Sequence, residues 1–482
     1  MVATAPIGSL RPPFARPYPF SPRFVILWDL MTTRQHRGTT GPPTGHACGT
    51  WVSWNRNISH SYSQLVRPKG EEELCEAVRR ASGDGRNGRV RAYGNRQSSA
   101  DIAAGTETLI DTTACRGVIG VDEEAMQITV RCGTTLRQLM REIESRGWSL
   151  PCLPDIDTVT IGGALATGTH GTAGDAHPLA EYMVGCRLVE VGGRVREVHD
   201  PDPVMPALRC SLGLLGVVST ITLQCRPLSY LRVEEQAVPD KIWRRSYRDW
   251  LVQYEFVRII FLPHTGYAWV VLGDRIEADQ EVDEKPAPWY HRYRREVSRL
   301  LYKRTARNPR FTRTANRLLR ALFFSNRLVA KGTLYGATVT KSRASPLELA
   351  EWGVAMDRFD ALFDELVTAL ERRDNDAYAH IPMDVRFLKS DGTWLSTAYG
   401  RDTVTVGCVT RHPEHAHLYR AFDLVEDLFL RYGGRPHWAK RFKAGKADLA
   451  PLWPRWDEFI ELRRRLDPNG VLLNRYLAGI FT

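Results

Sequence analysis

Two stretches in the first half of the chain combine residue types that could hold a phosphate or an extended cofactor. Residues 94–98 (GNRQS) form a small polar loop that directly follows a β-rich run. The backbone N–H groups of such a loop can turn toward a phosphate. Residues 160–172 hold four glycines and four threonines and almost no charge. Small side chains let a flat ligand approach the backbone closely, so the two stretches together predict a cofactor site.

Each stretch also has an ordinary structural interpretation. Polar loops are common at protein surfaces, and glycines can simply provide unusual φ/ψ values in a tightly packed turn. His170, inside the second stretch, would by itself more often be a hydrogen-bonded core residue than a catalyst. The cofactor prediction therefore depends on the two stretches occurring together.

A third set of reactive side chains lies in the C-terminal half. Asp384 and Arg386 stand two residues apart in an otherwise apolar strand pattern, so they share one strand face. Further on, His437 and Lys440 lie on either side of Trp438. The alternative is a surface salt bridge and a basic loop, because spacing alone cannot bring these groups into one pocket.

The elements that must position these residues are readable from periodicity and turn signals. The predicted helices are residues 71–81, 136–146, 350–371, 417–432 and 457–466, and the predicted strands are residues 89–93, 126–130, 188–191, 195–198, 217–223, 383–388 and 403–409. Thr134 or Thr135 can cap the second helix, which Gly147 ends, and Gly192-Gly193 predicts a β-hairpin. This mixture predicts an α+β fold.

Composition places the chain among ordinary globular proteins. A chain of 482 residues is too long for one simple hydrophobic core, so two or more domains are expected. Contents of 43% hydrophobic and 25% charged residues are typical of such proteins. No run approaches the roughly 20 apolar residues that span a bilayer, and no secretory signal is expected. Nine scattered cysteines without a Cys-x-x-Cys pair favour a reducing, cytoplasmic compartment. His412, His415 and His417 have too few partner ligands to predict a metal site, so we expect no metal.

The net charge of +11 is concentrated in one segment. Between Arg292 and Lys331 there are thirteen Lys or Arg residues and a single acid, Glu296. Apolar residues such as Leu300 and Leu318 recur there at helical spacing. A basic amphipathic helix on a membrane surface or on nucleic acid is therefore an alternative function. We favour a solvated cap-domain helix with an apolar inner face. The rest of the chain is nearly neutral, so the high pI does not indicate nucleic-acid binding throughout.

With these segments together, the sequence resembles the aldonolactone oxidoreductase family of the vanillyl-alcohol-oxidase flavoprotein superfamily. The similarity extends from about residue 48 to the C-terminus, except for the basic region 270–345. Besides the segments above, it rests on residues 211–218 (SLGLLGVV), 394–402 (WLSTAYGRD) and 466–477 (LDPNGVLLNRYL). All follow the order that the family has.

The resemblance implies a domain organisation around FAD. After a disordered Pro-rich tail (1–45), we expect a two-part PCMH-type FAD-binding domain at 46–228 and a mixed-sheet substrate (cap) domain at 229–435. Residues 436–482 would return to the FAD domain. The implied cofactor-binding residues are Tyr93, Gly94, Asn95, Arg96, Gln97, Ser98, Thr160, Gly163, Thr167, Gly168, Thr169, His170, Gly171, Val218 and His437.

The implied activity is oxidation of a CH–OH group in a sugar, polyol, lactone or glycoside-like substrate, by hydride transfer to flavin N5. O₂ or another acceptor would then take the electrons. The implied catalytic residues are Lys440, Arg386 and Asp384. Arg386 and Lys440 would supply positive charge at the substrate oxygen or the flavin. Asp384 would orient Arg386 or bind a substrate hydroxyl, and either Lys440 or His437 would accept the hydroxyl proton.

The sequence departs from the family at informative positions. Gln97 stands where the family's oxidases often carry a histidine covalently attached to the flavin, so we expect dissociable FAD. The family's Glu-x-Arg motif has the shorter Asp384 before Arg386, and Gly407 and Cys408 lie where some alditol-oxidising relatives have a histidine. These changes favour a substrate other than the usual polyol or lactone. A flavoprotein with altered or lost catalysis is the remaining alternative.

Overall fold

The computed structural model describes most of the chain after residue 47. It describes residues 48–83, 88–172, 174–175, 177–278, 288–323, 327–339, 347–372, 376–410 and 414–482, and for residues 288–292, 294 and 295 the backbone alone. The predicted tail at 1–45 and His412 therefore lie outside the described residues.

The described residues form many short strands and helices. The strands in chain order are β1 (Gly49–Val52), β2 (Ser59–Tyr62), β3 (Gln64–Val66), β4 (Val90–Tyr93), β5 (Thr108–Asp111), β6 (Val118–Asp122), β7 (Gln127–Arg131), β8 (Trp148–Ser149), β9 (Met183–Val189), β10 (Val195–His199), β11 (Val217–Gln224), β12 (Arg226–Pro227), β13 (Tyr230–Pro239), β14 (Phe256–Leu262), β15 (Tyr267–Ile276), β16 (Leu328–Thr333), β17 (Glu348–Ala355), β18 (Met383–Leu388), β19 (Thr403–Thr410) and β20 (Arg435–Pro436). The helices are α1 (Glu71–Gly83), α2 (Leu136–Ser145), α3 (Ile161–Ala166), α4 (Met205–Leu208), α5 (Asp240–Gln253), α6 (Pro288–Arg307), α7 (Thr312–Phe323), α8 (Leu334–Thr338), α9 (Phe359–Glu371), α10 (Arg420–Arg431), α11 (Lys446–Leu449), α12 (Trp456–Leu466) and α13 (Arg475–Phe481).

The strands before β13 form small sheets. Strands β3-β5-β4 form a parallel sheet, and β10-β9-β11-β7-β6 form an antiparallel one. The predicted hairpin is confirmed: β9 pairs with β10, and Gly192 and Gly193 between them have φ of +95° and +83°. Positive φ at both positions suits the turns that join tightly twisted strands. The predicted start of α2 is also confirmed, since Thr135 and Gln138 form a capping box there.

The later strands form one antiparallel sheet in the order β16-β13-β15-β14-β18-β19-β17-β20. Helices α5 and α9 contribute aromatic side chains that pack against each other and against the sheet. The rings of Trp243 and Phe363 lie 5.3 Å apart, and Tyr247 stacks on Phe387 of β18 at 5.2 Å. This aromatic core fixes the sheet against its helices. The α+β fold class is confirmed.

The C-terminal segment contacts the first strands of the chain. The N–H of Val90 donates to the carbonyl of Val471 at 2.8 Å. The side chain of Asn474 donates to the carbonyl of Ala104 at 2.6 Å. The loop that carries the polar residues 94–98 is therefore tied to the last fifty residues. The boundaries of the expected domains remain a prediction.

The predicted helix at 350–371 is wrong in its first part. Residues 348–355 form β17, which pairs along its length with β19, and α9 begins only at Phe359. Trp352 and Val354 are both fully buried, and a Cβ on Gly353 would lie 2.4 Å from a methyl carbon of Thr397. A strand buried on both faces lacks the alternating pattern by which strands are recognised. Pairing with β19 therefore overrides the helix-forming composition.

The basic segment folds as two packed helices, α6 and α7. Leu301, Leu319 and Phe323 form a buried cluster between them, whereas Leu300 and Leu318 stay exposed. Some of the apolar residues in this segment thus pack between the two helices, as predicted for a solvated helix with an apolar inner face. Among the described helices none is long and apolar enough to cross a membrane.

Candidate active site

A cavity of about 890 Å³ is lined by both the N-terminal loops and the eight-stranded sheet. This volume lies in the range of small-molecule and cofactor pockets. The predicted site residues that line it are Tyr93, Gly94, Asn95, Arg96, Gln97, Ser98, Thr160, Gly163, Thr167, Thr169, His170, Val218, Asp384, Arg386, His437 and Lys440. Segments that are hundreds of residues apart in the chain therefore meet at one cavity.

Two predicted cofactor residues, Gly168 and Gly171, are not among the lining residues. Gly168 has a φ of +66°, a conformation that L side chains rarely adopt. A Cβ on Gly171 would lie 2.1 Å from the carbonyl oxygen of Leu153. Both glycines allow the backbone conformation and close packing of the loop behind the cavity wall. Their direct contact with the cofactor remains a prediction.

Close packing of small residues brings the two N-terminal stretches together. A Cβ on Gly94 would lie 2.0 Å from Oγ1 of Thr160, so only glycine lets the loop after β4 lie against the start of α3. A Cβ on Gly162 would similarly lie 2.9 Å from Cβ of Cys132. The side-chain amide of Asn95 donates to the carbonyl of Thr158. The sequence pattern thus folds into one continuous cavity wall.

The loop after β20 presents His437 and Lys440 to the same cavity. Trp438 between them is buried, and its indole N–H donates to a backbone carbonyl at 2.8 Å. The carbonyl of Ala439 accepts from the N–H of Ser99 at 2.8 Å. An anchored aromatic residue and a backbone bond to the N-terminal loop therefore fix the positions of both side chains.

Asp384 and Arg386 belong to a network of two carboxylates and two guanidiniums. Arg386 donates from Nε to Asp384 at 2.9 Å. Arg258 of β14 donates to both oxygens of Asp384, each at 2.8 Å. Both arginines also contact Asp155, with Arg258 at 3.1 Å. Asp384 therefore orients Arg386, one of the two roles that the sequence left open for it, and also Arg258.

Both guanidiniums are permanently charged in spite of their burial. Burial alone would lower the pKa of Arg386, but the carboxylates of Asp155 and Asp384 outweigh it and raise the pKa well above its ordinary value. The same balance raises the pKa of Arg258. The cavity wall thus holds two fixed positive groups with their countercharges.

A second buried cluster contains His170, His437 and Glu351. Nε2 of His170 lies 3.2 Å from a carboxylate oxygen of Glu351, and the two imidazole rings are 5.4 Å apart. Burial opposes the ionised form of Glu351, yet His170, His437 and Arg386 hold its pKa well below its ordinary value. Burial, with Lys440 nearby, lowers the pKa of His437 well below its usual range.

Hydrogen bonds assign the tautomer of His437. Nδ1 of His437 lies 3.1 Å from the N–H of Ala439, from which it accepts. The neutral ring must therefore carry its proton on Nε2 and acts as a donor at that atom. One ligand atom each from His437, His170 and Glu351 lies within 4.8 Å of the others, a spacing that could suit a metal ion. The positive charge of Lys440, which already opposes protonation of His437, also opposes a cation here.

Comparison with known protein families matches residues 221–480 to the D-arabinono-1,4-lactone oxidase family and residues 62–199 to an FAD-binding domain. The first match alone covers more than half of the chain. The chain belongs to the D-arabinono-1,4-lactone oxidase family. As a member of this family it is an FAD-dependent oxidoreductase.

The similarity to curated relatives covers nearly the whole length of those proteins. The chain is 32% identical to L-gulono-1,4-lactone dehydrogenase of Mycobacterium tuberculosis over 89% of this chain and 98% of that protein. It is 27% identical to L-gulonolactone oxidase of Mus musculus (89% and 97% covered) and 25% identical to alditol oxidase of a Streptomyces species (89% and 98%). A solved cholesterol oxidase from B. sterolicum shares the fold, with a TM-score of 0.73 at 14% identity, covering 92% of this chain and 99% of that one.

The cavity of this D-arabinono-1,4-lactone oxidase family member fits FAD. Oε1 of Gln97 is buried and has no hydrogen-bond partner within the described residues. Burying such an atom unpaired costs free energy, so a polar ligand that donates to it is expected. The cavity wall beside Gln97 is built from small uncharged side chains, which admits a flat ring system.

Sequence inspection missed several lining residues. Arg258, Asp155 and Glu351 all line the cavity, as do Arg299 and neighbouring residues of α6. Arg258 is the one charged residue in the otherwise apolar strand FVRIIFL, a signal that could have been found. Glu351 was hidden because β17 has a helix-like composition, and nothing in the sequence relates α6 to the pocket.

Proposed function

We propose that the protein holds FAD non-covalently and oxidises an alcohol group of a polyhydroxylated, sugar-like substrate. The observation that carries this proposal is the convergence of Asp384, Arg386 and Lys440 on the cavity wall that also contains Gln97. The relatives named for gulonolactone and alditol substrates support the substrate class. Within that class, the shorter Asp384 and the Gly407-Cys408 pair favour a substrate other than the relatives' own. When bound, FAD supplies the hydride acceptor for oxidation of the carbinol carbon.

The non-covalent half of the proposal rests on Gln97. Its amide lines the cavity and cannot form the bond that a histidine forms with the flavin in related oxidases. The buried, unpaired Oε1 of Gln97 instead offers a hydrogen-bond acceptor to the cofactor. Reversible binding of this kind makes the flavin dissociable on denaturation.

In the proposed reaction, Arg386 and Lys440 both act at the oxygen of the reacting alcohol. Arg386 is held in place by Asp384 and keeps its charge, so it stabilises negative charge that develops on the alcohol oxygen. Lys440 is half-buried on the loop anchored by Trp438. In its neutral amine form, after it has given up its own proton, Lys440 accepts the hydroxyl proton at Nζ. His437 carries a proton on Nε2 and therefore orients a polar group by donating to it, which leaves Lys440 as the base.

Other features support the cellular setting that the sequence predicts. All nine cysteines are free, which supports the proposal of a reducing, cytoplasmic compartment. Relatives named dehydrogenase and oxidase are both similar to this chain, so either O₂ or another acceptor completes turnover.

Steady-state turnover tests the proposal. Purified protein mixed with L-gulono-1,4-lactone or with an alditol such as D-sorbitol should reduce an artificial dye acceptor, and parallel O₂ uptake shows whether oxygen also serves. Turnover with at least one polyhydroxylated alcohol is expected. Failure to reduce the dye with every polyhydroxylated alcohol tried would contradict the proposed substrate class.

A further inference from the structure

Arg258 and Asp155 lie in the cavity wall beside the predicted catalytic pair, Asp384 and Arg386, and have no role in the predictions from sequence. Ile259 of β14 pairs with Val385 of β18, so Arg258 and Arg386 are direct cross-strand neighbours. Like charges placed opposite each other on neighbouring strands repel. Asp155 and Asp384 neutralise that repulsion, since each contacts both arginines.

The hydrogen bonds of the two guanidiniums leave matching donors unused. Arg258 binds Asp384 through Nε and Nη2, and Asp155 through Nη2. Arg386 uses its own Nε and Nη2 on the same two carboxylates. Within the described residues neither Nη1 has a partner, and a guanidinium presents these N–H groups in a fixed plane. Two rigid donors on adjacent strands therefore remain for a ligand.

The charge of the network limits the ligand that these donors suit. Two guanidiniums and two carboxylates carry no net charge, so the site does not require an anion. A neutral ligand with oxygen atoms on neighbouring carbons could accept from both Nη1 groups. The hydroxyl groups of such a ligand could in turn donate to the carboxylate oxygens of Asp155 and Asp384.

We propose that Arg258, positioned by Asp155, is a specificity-determining residue that selects a substrate with oxygens on adjacent carbons, a vicinal diol or a hydroxylactone. This inference rests on the proposed function and deepens it. Arg258 and Arg386 each bind one of the two oxygens through Nη1, while Asp155 and Asp384 hold both guanidiniums in position. Lys440 acts at the reacting hydroxyl.

Holoenzyme kinetics with paired alcohols tests the inference. Wild type and Arg258→Met are compared on D-sorbitol, on n-hexanol, which has one hydroxyl, and on D-gluconate, which adds a carboxylate. Loss of a charge-assisted bond predicts a KM for D-sorbitol raised about tenfold or more, with kcat changed less. The kcat/KM for n-hexanol, which has no second oxygen to lose, should fall much less than that for D-sorbitol. L-Gulono-1,4-lactone, in place of D-sorbitol, distinguishes the lactone from the open-chain diol.

Two further variants make the result decisive. Arg258→Lys keeps the charge but loses the planar pair of donors, so it should raise the KM for D-sorbitol to an intermediate value even if Arg258→Met fails to fold. Arg275→Met removes an exposed arginine that pairs with Glu255 outside the cavity and should behave as wild type.

The outcomes separate this inference from the proposed function. Equal effects of Arg258 substitutions on D-sorbitol and n-hexanol, or a wild-type preference for n-hexanol or D-gluconate, would overturn the diol selection. If wild type oxidises D-sorbitol but the Arg258 variants keep its KM, only this inference fails. If no polyhydroxylated alcohol is oxidised at all, the proposed function fails with it.

Discussion

Nε2 of His170 lies 3.2 Å from a carboxylate oxygen of Glu351, with both side chains buried in the cavity wall. The other ring nitrogen of His170, Nδ1, lies 3.0 Å from the carbonyl oxygen of Gly171 and must donate to it. The pKa of Glu351 is held low, so its carboxylate is ionised. Contacts at both ring nitrogens therefore fix the orientation of the His170 imidazole in the cavity wall.

Substitution of Lys440 tests the proposed base. Lys440→Met should slow anaerobic reduction of the bound flavin by about 10²- to 10⁴-fold, the usual contribution of a positioned acid or base. Lys443→Met is the matched control, since Lys443 pairs with Asp423 and does not line the cavity. Rapid-mixing absorbance measures both rates. Unchanged flavin reduction in Lys440→Met would assign the proton transfer elsewhere.

Glu348 predicts a pH dependence of stability. Burial raises the pKa of this carboxyl group to about 7, well above its value in an unfolded chain. The folded protein therefore keeps a proton that unfolding releases, so this contribution is complete below about pH 4.5 and is lost as the pH rises through 7. Glu348→Gln should melt like wild type at pH 5 and a few degrees higher at pH 8. The same difference in Tm between Glu348→Gln and wild type at pH 5 and at pH 8 would contradict this prediction.

The helical hairpin of α6 and α7 offers a packing prediction. Leu319 is buried in the cluster between these helices, whereas Leu322 in the same helix is 44% exposed. Leu319→Ala should destabilise the hairpin by about 2–5 kcal/mol, and Leu322→Ala by much less. Limited proteolysis of the hairpin measures the difference. Equal cleavage of the two variants would mean that the cluster does not hold the hairpin.

Gln97 makes the mode of flavin attachment testable. Acid precipitation of purified protein should release all yellow FAD into the supernatant, because an amide does not bond covalently to the ring. A related oxidase with a histidyl-flavin link serves as the control, since its pellet stays yellow. Flavin retained on the pellet of this protein would refute non-covalent binding.

The local part of the site was predictable from sequence. The loop at 94–98 and the glycine-rich run depend on small residues at fixed spacing, and both line the cavity as expected. The pairing of Asp384 with Arg386 followed from strand alternation and is confirmed. These features depend only on the spacing of residues within one loop or one strand, which can be read from the sequence.

The remainder depended on long-range strand pairing. Arg258 reaches Asp384 only because β14 and β18 are neighbours in the sheet, an order that periodicity does not encode. Glu351 faces His170 only because residues 348–355 extend as a strand against β19. Where the fold overrides local propensity, the charged residues of the site were hidden from sequence inspection.

Anaerobic mixing of the yellow holoenzyme with polyhydroxylated alcohols tests hydride transfer to the flavin without any electron acceptor. We expect at least one alcohol, from a panel that includes L-gulono-1,4-lactone and alditols, to bleach the bound flavin. Arg386→Ala should bleach far more slowly with unchanged FAD content. A flavin that stays oxidised with every such alcohol, but can be reduced by dithionite, would contradict flavin-dependent oxidation of this substrate class.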